Sequence, residues 1–193
     1  MMPFLTALLV QTLRAPAEAG RTLCALNLNR EMGWSALFLA CILNTLAYFA
    51  SISLFPVPSE AMLPMMATPI LTLITLFSAM TVTVFALFWT GRILDGEARF
   101  GDILTMIAWM QFLRVLVQVA TIVLMFVLPS LAYVLVMGAG LYGIWIMVHF
   151  LQVAHGFDGL GKAIFTLVLA VLGMTMGLSL FLSVMGVTAM GIS

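Results

Sequence analysis

Five long runs of apolar residues, separated by short polar breaks, dominate the pattern of the chain. They cover residues 34–55, 69–89, 103–128, 131–151 and 163–187. Each run has about the 20 residues that an α-helix needs to cross the hydrocarbon of a bilayer. Membrane-spanning segments must satisfy their backbone hydrogen bonds internally, and unbroken runs without period-two alternation favour helices over a barrel. The pattern therefore predicts an all-α bundle of five transmembrane spans.

The breaks between the runs carry the residues that end helices or require water. Pro56 and Pro58 end the first run, since proline has no N–H to continue the helix. Residues 91–102 hold three glycines and five of the fourteen charged residues, and form the main polar loop. Pro129 and Ser130 make so short a break that the third and fourth spans must form a helical hairpin.

Residues 1–33 precede the first span and mix leucines with Arg14, Arg21 and Arg30. This composition predicts an amphipathic segment lying in the membrane interface, with Pro16 starting a second short helix. No basic residue precedes the apolar start of the chain, so we expect the segment to be retained rather than cleaved as a signal peptide. We expect it to provide a cytoplasmic docking surface.

The basic residues outside the spans fall on one side of a five-span arrangement. They are Arg14, Arg21, Arg30, Arg92, Arg99 and Lys162. Cytoplasmic loops near spans are enriched in such residues. The distribution predicts a cytoplasmic N-terminus, an odd number of spans and a C-terminus on the opposite, periplasmic side.

Composition agrees with a lipid environment and excludes one class of partner. Hydrophobic residues make up 64% of the 193 residues and charged residues 7%, whereas an average soluble domain is roughly 25% charged. The formal net charge is zero, so the chain lacks the basic surface that neutralises nucleic-acid phosphates. We expect membrane lipids and other membrane proteins as partners, and no nucleic acid.

One charge lies inside a predicted span. Arg114 shares a helical face with Gln111 and Gln118, and Asn44 and His149 on other spans are possible partners. A charge inside a span costs at least about 2.5 kcal/mol and indicates a function by default. We expect this face to point into the bundle. It could form a structural polar cluster, bind a lipid phosphate or another anion, or leave Arg114 to extend towards the interface without function.

Two pairs of small residues have the spacing that allows close helix packing. Gly173 and Gly177 form a G-x-x-x-G face on the fifth span, and Ala139 and Gly143 form a similar pair on the fourth. We expect packing within the chain rather than dimerisation.

The inventory of reactive residues gives little basis for catalysis. His149 and His155 cannot make up the three or four ligands of a zinc site, and Cys24 and Cys41 have no redox or metal spacing. Residues 156–163 match a phosphate-binding loop only superficially, because they follow a membrane helix and end in alanine. We expect no metal, no cofactor and no enzymatic activity.

Three segments resemble the Yip1 family of five-span membrane proteins in its short bacterial form. They are residues 13–20, residues 101–104 after the polar loop, and residues 145–163 between the last two spans. The resemblance implies five spans and a cytoplasmic N-terminus, and the bacterial form implies the inner membrane. It implies no reaction, and the Rab-related role of eukaryotic relatives depends on a longer N-terminal region than this chain has.

The leading hypothesis is a non-enzymatic scaffold or accessory subunit that associates with other membrane proteins or lipids. The alternative is a small transporter or a lipid- or anion-binding membrane protein that uses the Arg114 face. The oligomeric state stays open.

Overall fold

A computed structural model describes the backbone of residues 2–56, 66 and 68–190. It describes their side chains except at residues 2, 181, 182 and 184–190. The predicted break at residues 56–68 lies for the most part outside the described residues. Of the predicted tail after Val187, the backbone of residues 188–190 continues the last helix, and residues 191–193 lie outside the described residues.

The described chain consists of seven α-helices and contains no strand, which confirms the all-α prediction. The helices are α1 (Met2–Arg14), α2 (Pro16–Ala25), α3 (Arg30–Leu54), α4 (Pro69–Ile93), α5 (Phe100–Val127), α6 (Pro129–His155) and α7 (Leu160–Met190). Five of them, α3 to α7, are long and apolar enough to cross a membrane. In α7 the candidate span covers residues 160–180. The predicted number of spans is therefore confirmed.

Local chemistry sets the ends of several helices. Asn29 caps α3 by accepting a hydrogen bond of 2.8 Å from the N–H of Met32. Pro69 occupies the first turn of α4, where its missing N–H costs nothing. Gly156 ends α6 with a φ of +66°, a left-handed conformation that glycine adopts without strain.

The two N-terminal helices form a hairpin that packs alongside α5 and α6. Thr12 of α1 is fully buried, and its hydroxyl accepts a 3.0 Å hydrogen bond from the Trp109 ring N–H. Tyr142 donates its hydroxyl to the carbonyl of Leu13 at 2.6 Å. Trp109 lies nine residues into α5, about 14 Å along the helix. One face of the predicted N-terminal docking segment is thus already occupied by the bundle.

The starts of α3, α5 and α7 lie together with the ends of α4 and α6, and we call this region the basic end. The backbone joins its two loops here, because the N–H of Glu97 donates to the carbonyl of His155 at 3.0 Å. The His155 side chain is 1% exposed and stacks on the Phe157 ring with centroids 5.1 Å apart. It lies against Gly91 and Gly96, where an added Cβ on either residue would overlap the imidazole. We call this arrangement the histidine notch.

The histidine notch generates a prediction about stability. Gly91→Ala should lower the free energy of unfolding by about 1–3 kcal/mol, because the new methyl group displaces His155 from its packed position. Alanine ordinarily stabilises a helix relative to glycine by up to about 1 kcal/mol. A lower free energy of unfolding would therefore have to come from the contact between the new methyl group and His155. Thermal unfolding in mild detergent measures the effect.

Gly161→Ala is the matched control, since it lies in the first turn of α7 with nothing within 4 Å of an added Cβ. The control should unfold at or slightly above the wild-type temperature. A Gly91→Ala protein as stable as this control would contradict the packing described for His155.

Candidate functional site

The structure brings together two of the polar side chains predicted to form a cluster within the membrane. Asn44 on α3 is 2% exposed, and its side-chain N–H₂ donates to the backbone carbonyls of Ala40 at 2.8 Å and of Gln111 at 3.0 Å. Gln111 on α5 is itself buried and donates to the sulfur of Met80 on α4 at 2.6 Å. These contacts connect α3, α4 and α5 in the interior of the bundle.

In this cluster the side-chain N–H groups of Asn44 and Gln111 donate hydrogen bonds, whereas their side-chain oxygens accept none. The side-chain oxygens of Asn44 and Gln111 are inaccessible and have no hydrogen-bond partner within the described part of the chain, and the same holds for Gln118 further along α5. An unpaired buried polar group costs free energy. The gain from this cluster therefore lies in fixing which helices meet, more than in added stability.

Arg114 does not point into the bundle, and this part of the expectation is wrong. Its side chain is exposed, whereas Gln111 and Val115 take the buried positions of α5 at this depth. No salt bridge or hydrogen bond joins Arg114 to any described residue; the one salt bridge among them is Arg99–Asp102. Because α3 packs closely on α5, the inward face accommodates an amide but leaves the guanidinium at its edge.

His149 and Gln118 also stand apart from the Asn44–Gln111 contact. His149 is half-buried, with Nδ1 3.0 Å from the carbonyl of Trp145 and its ring 4.3 Å from the Trp145 ring. It thus contacts its own helix. Gln118 is half-buried further along α5.

The two small-residue pairs differ in how they are used. A Cβ added to Gly143 would lie 3.8 Å from the terminal methyl of Met110 on α5, which is an ordinary van der Waals contact. Ala139 is half-buried. Gly173 and Gly177 have nothing within 4 Å of an added Cβ and line an open apolar groove between α4 and α7. The expected close packing within the chain is therefore not seen at these two glycines.

No metal or thiol chemistry emerges from the described residues. They contain no group of three or more His, Cys, Asp or Glu side chains that could hold a metal ion. Both cysteines are free. Burial raises the pKa of the Cys24 thiol to about 11, so the thiol stays protonated at neutral pH and is a poor nucleophile.

A polar site that the sequence pattern did not single out lies at the basic end. Arg99 donates from Nε to Asp102 Oδ2 at 3.0 Å and from Nη2 to Asp102 Oδ1 at 3.1 Å. It also donates to Asn27 Oδ1 at 2.9 Å and to the Cys24 carbonyl at 3.4 Å. Hydrogen bonding to Asp102 raises the pKa of Arg99 above its ordinary value. The Arg-x-x-Asp spacing at the start of α5 was the available signal, since residues three apart meet on a helix.

The Asn44 contact generates a prediction that separates its donor role from an acceptor role. Asn44→Asp should destabilise the protein by about 2.5–3.5 kcal/mol, because a carboxylate in the middle of a span has no N–H to give to two carbonyl oxygens. Thermal unfolding in mild detergent at neutral pH measures the loss.

Asn29→Asp is the matched control, because Asn29 caps α3 as an acceptor and aspartate caps a helix equally well. This variant should unfold like the wild type. Equal effects of the two substitutions would show that the donated hydrogen bonds of Asn44 do not hold α3 against α5.

Comparison with known protein families gives a match over most of the chain. A family model, the Yip1 domain, matches residues 10–181, which include the end of α1, all of α2 to α6 and most of α7. No curated protein and no solved structure matches the chain. The match covers well over half of the sequence and confirms the resemblance found in its motifs. The chain therefore belongs to the Yip1 family.

Proposed function

We propose that this protein is a non-enzymatic scaffold or accessory subunit that binds another membrane protein side by side within the bilayer. The observation that carries the proposal is the exposed, unpaired side chain of Arg114 on a membrane-spanning helix. Membership of the Yip1 family and five apolar helices make this chain an integral multi-pass membrane protein.

The position of Arg114 along α5 makes its exposure costly in lipid. It lies 14 residues after Phe100 and 13 before Val127, so at ~1.5 Å per residue each end of the helix is about 20 Å away. An extended arginine side chain covers only part of that distance towards the headgroups. An isolated charge at this depth costs at least about 2.5 kcal/mol.

A partner that places an acidic side chain opposite Arg114 would remove this cost. The buried charge pair would then form between two proteins instead of within one, and arginine suits it because its planar guanidinium binds a carboxylate through two hydrogen bonds. We therefore propose a partner with a transmembrane helix that carries Asp or Glu near its middle.

The residues around Arg114 support binding rather than catalysis. Within the described chain its face contains the half-buried Gln118 amide and apolar side chains such as the half-buried Val117, with no nucleophile or general base in hydrogen-bond contact. The described residues also hold no candidate metal cluster. A reaction would need groups that this surface does not supply.

Arg114→Gln tests the proposal in the full-length protein. Gentle-detergent copurification with quantitative mass spectrometry should find a stoichiometric membrane partner with the wild type and a loss of about tenfold or more with the variant. That factor corresponds to the ~1.4 kcal/mol that a desolvated charge pair readily exceeds. Isolation of the wild type without any stoichiometric partner would contradict the proposal.

Arg21→Gln is the matched control, since it removes one exposed arginine outside the spans. It should leave copurification unchanged. Retention of the partner by both variants would show that Arg114 is not the contact.

The competing function is anion or lipid binding at Arg114, and the same exposed guanidinium is the observation that favours it. It requires a phosphate to approach a residue about 20 Å from either end of α5, far from the headgroups. The copurification experiment separates the two ideas. Loss of a bound anionic lipid, with no protein partner in either sample, would favour this function.

We further propose that the N-terminus is cytoplasmic, the C-terminus periplasmic and the location the bacterial inner membrane. Arg30, Arg92, Arg99 and Lys162 lie at the basic end, and cytoplasmic ends of spans carry such residues. A reporter fused after Ser193 should be active only on the periplasmic side. Activity confined to the cytoplasm would reverse the orientation.

A further inference from the structure

We infer that the basic end holds a binding site for the phosphate of an anionic phospholipid in the adjoining leaflet. The site is an open cavity of about 400 Å³ formed where α3 begins, α4 ends and α5 begins. Arg30, Arg92 and Arg99 all line it. It is independent of the partner contact proposed at Arg114, which lies in the middle of α5.

The charge balance of the cavity favours an anion. Asp102 is the one acidic residue among its lining residues, and both of its carboxylate oxygens already accept hydrogen bonds from Arg99. Arg30 and Arg92 form no salt bridge with any described residue. Two positive charges therefore remain uncompensated in one concave site.

The arginines are also held in position. Arg30 lies over the Phe100 ring, with the guanidinium carbon 5.7 Å from the ring centroid, and Arg92 lies over the Phe88 ring at 5.5 Å. Both rings line the cavity. A guanidinium stacked on an aromatic face keeps the N–H groups in its own plane free, and they can form two hydrogen bonds to a phosphate. Arg99 is fixed by Asp102, Asn27 and Cys24.

The location of the cavity points to a lipid as the source of the phosphate. It lies at the ends of three membrane-spanning helices, where headgroups lie, and its lining includes Phe88 and Phe100, which pack against the hydrophobic core of the bundle. Trp89 follows Phe88 and is 62% exposed, as expected for a ring at headgroup level. Anionic lipids are drawn to such basic clusters at membrane edges.

The test compares two double variants with equal loss of charge. The cavity variant combines Arg30→Gln with Arg92→Gln and removes the two unpaired positive charges of the cavity. The control variant combines Arg21→Gln with Lys162→Gln and removes two exposed positive charges outside the cavity lining. Native mass spectrometry of the full chain, titrated with phosphatidylglycerol and with phosphatidylcholine of the same acyl chains, gives relative affinities.

The wild type should bind phosphatidylglycerol about tenfold or more tightly than phosphatidylcholine, given the contribution of two arginines near a membrane surface. The cavity variant should lose this preference, and the control pair should keep most of it. Equal affinity of the wild type for both lipids, or equal losses in the two double variants, would overturn the inference.

A second titration with glycerol 3-phosphate and inorganic phosphate distinguishes the source of the phosphate. If these soluble anions raise the unfolding temperature of the wild type only, and phosphatidylglycerol shows no preference, the cavity binds a free phosphate and the lipid assignment is wrong. Should the double variant fail to fold, Arg92→Gln alone against Lys162→Gln alone makes the same comparison.

Discussion

A bilayer interior offers no hydrogen-bond partners, and this constraint explains most of the polar contacts inside the protein. Hydroxyl groups within the spans donate to carbonyls four residues earlier on their own helix. The examples are Thr45 to Cys41, Thr83 to Ala79, Thr105 to Gly101, Thr121 to Val117 and Thr166 to Lys162. These five hydroxyls are thereby satisfied on their own helices, whereas those of Thr72 and Thr81 on α4 are buried without a partner in the described part of the chain. Asn44 and Thr83 also donate to a second helix, Asn44 to the backbone of α5 and Thr83 to the Met174 sulfur on α7 at 3.7 Å, and such contacts specify which helices meet.

The charged residues follow the same constraint at the scale of the whole chain. Arg99 and Asp102 pair at the start of α5, while Arg30 and Arg92 stack on aromatic rings at the ends of α3 and α4. All four residues thus have a partner and lie at the ends of spans, close to water and headgroups. Arg114 has no such arrangement, and this contrast makes it the most informative position in the membrane-spanning region.

The sequence predicted the spans well because hydrophobic length is a direct consequence of bilayer thickness. Its predicted bounds were short at the basic end, where α3 begins at Arg30 and α6 continues to His155. A charged residue marks where the hydrocarbon stops, but a helix continues beyond it as long as its backbone bonds are favourable. The family was also predictable, because the three segments that resemble it all lie within the matched residues 10–181.

The composition of the polar sites was harder to predict. Helical spacing put Gln111 and Arg114 on one face, yet a difference of three positions turns the second side chain by about 60° and so to the edge of the contact with α3. The histidine notch required knowledge that Gly91, Gly96 and His155 meet, which depends on how α4 packs against α6. Likewise, spacing gave Gly173 and Gly177 a packing face but could not say that the groove beside it stays open.

The N-terminal hairpin has a consequence for the order in which the protein assembles. Helices α1 and α2 are synthesised before α5 and α6, but Thr12 and Leu13 form hydrogen bonds to residues 97 and 129 positions later in the chain. The hairpin can reach its final position only after α5 and α6 have been inserted, so until then its buried leucines must be sheltered by lipid or by other proteins. Its docking against Trp109 and Tyr142 therefore follows the insertion of α6, and ties an earlier segment of the chain to the assembly of the later spans.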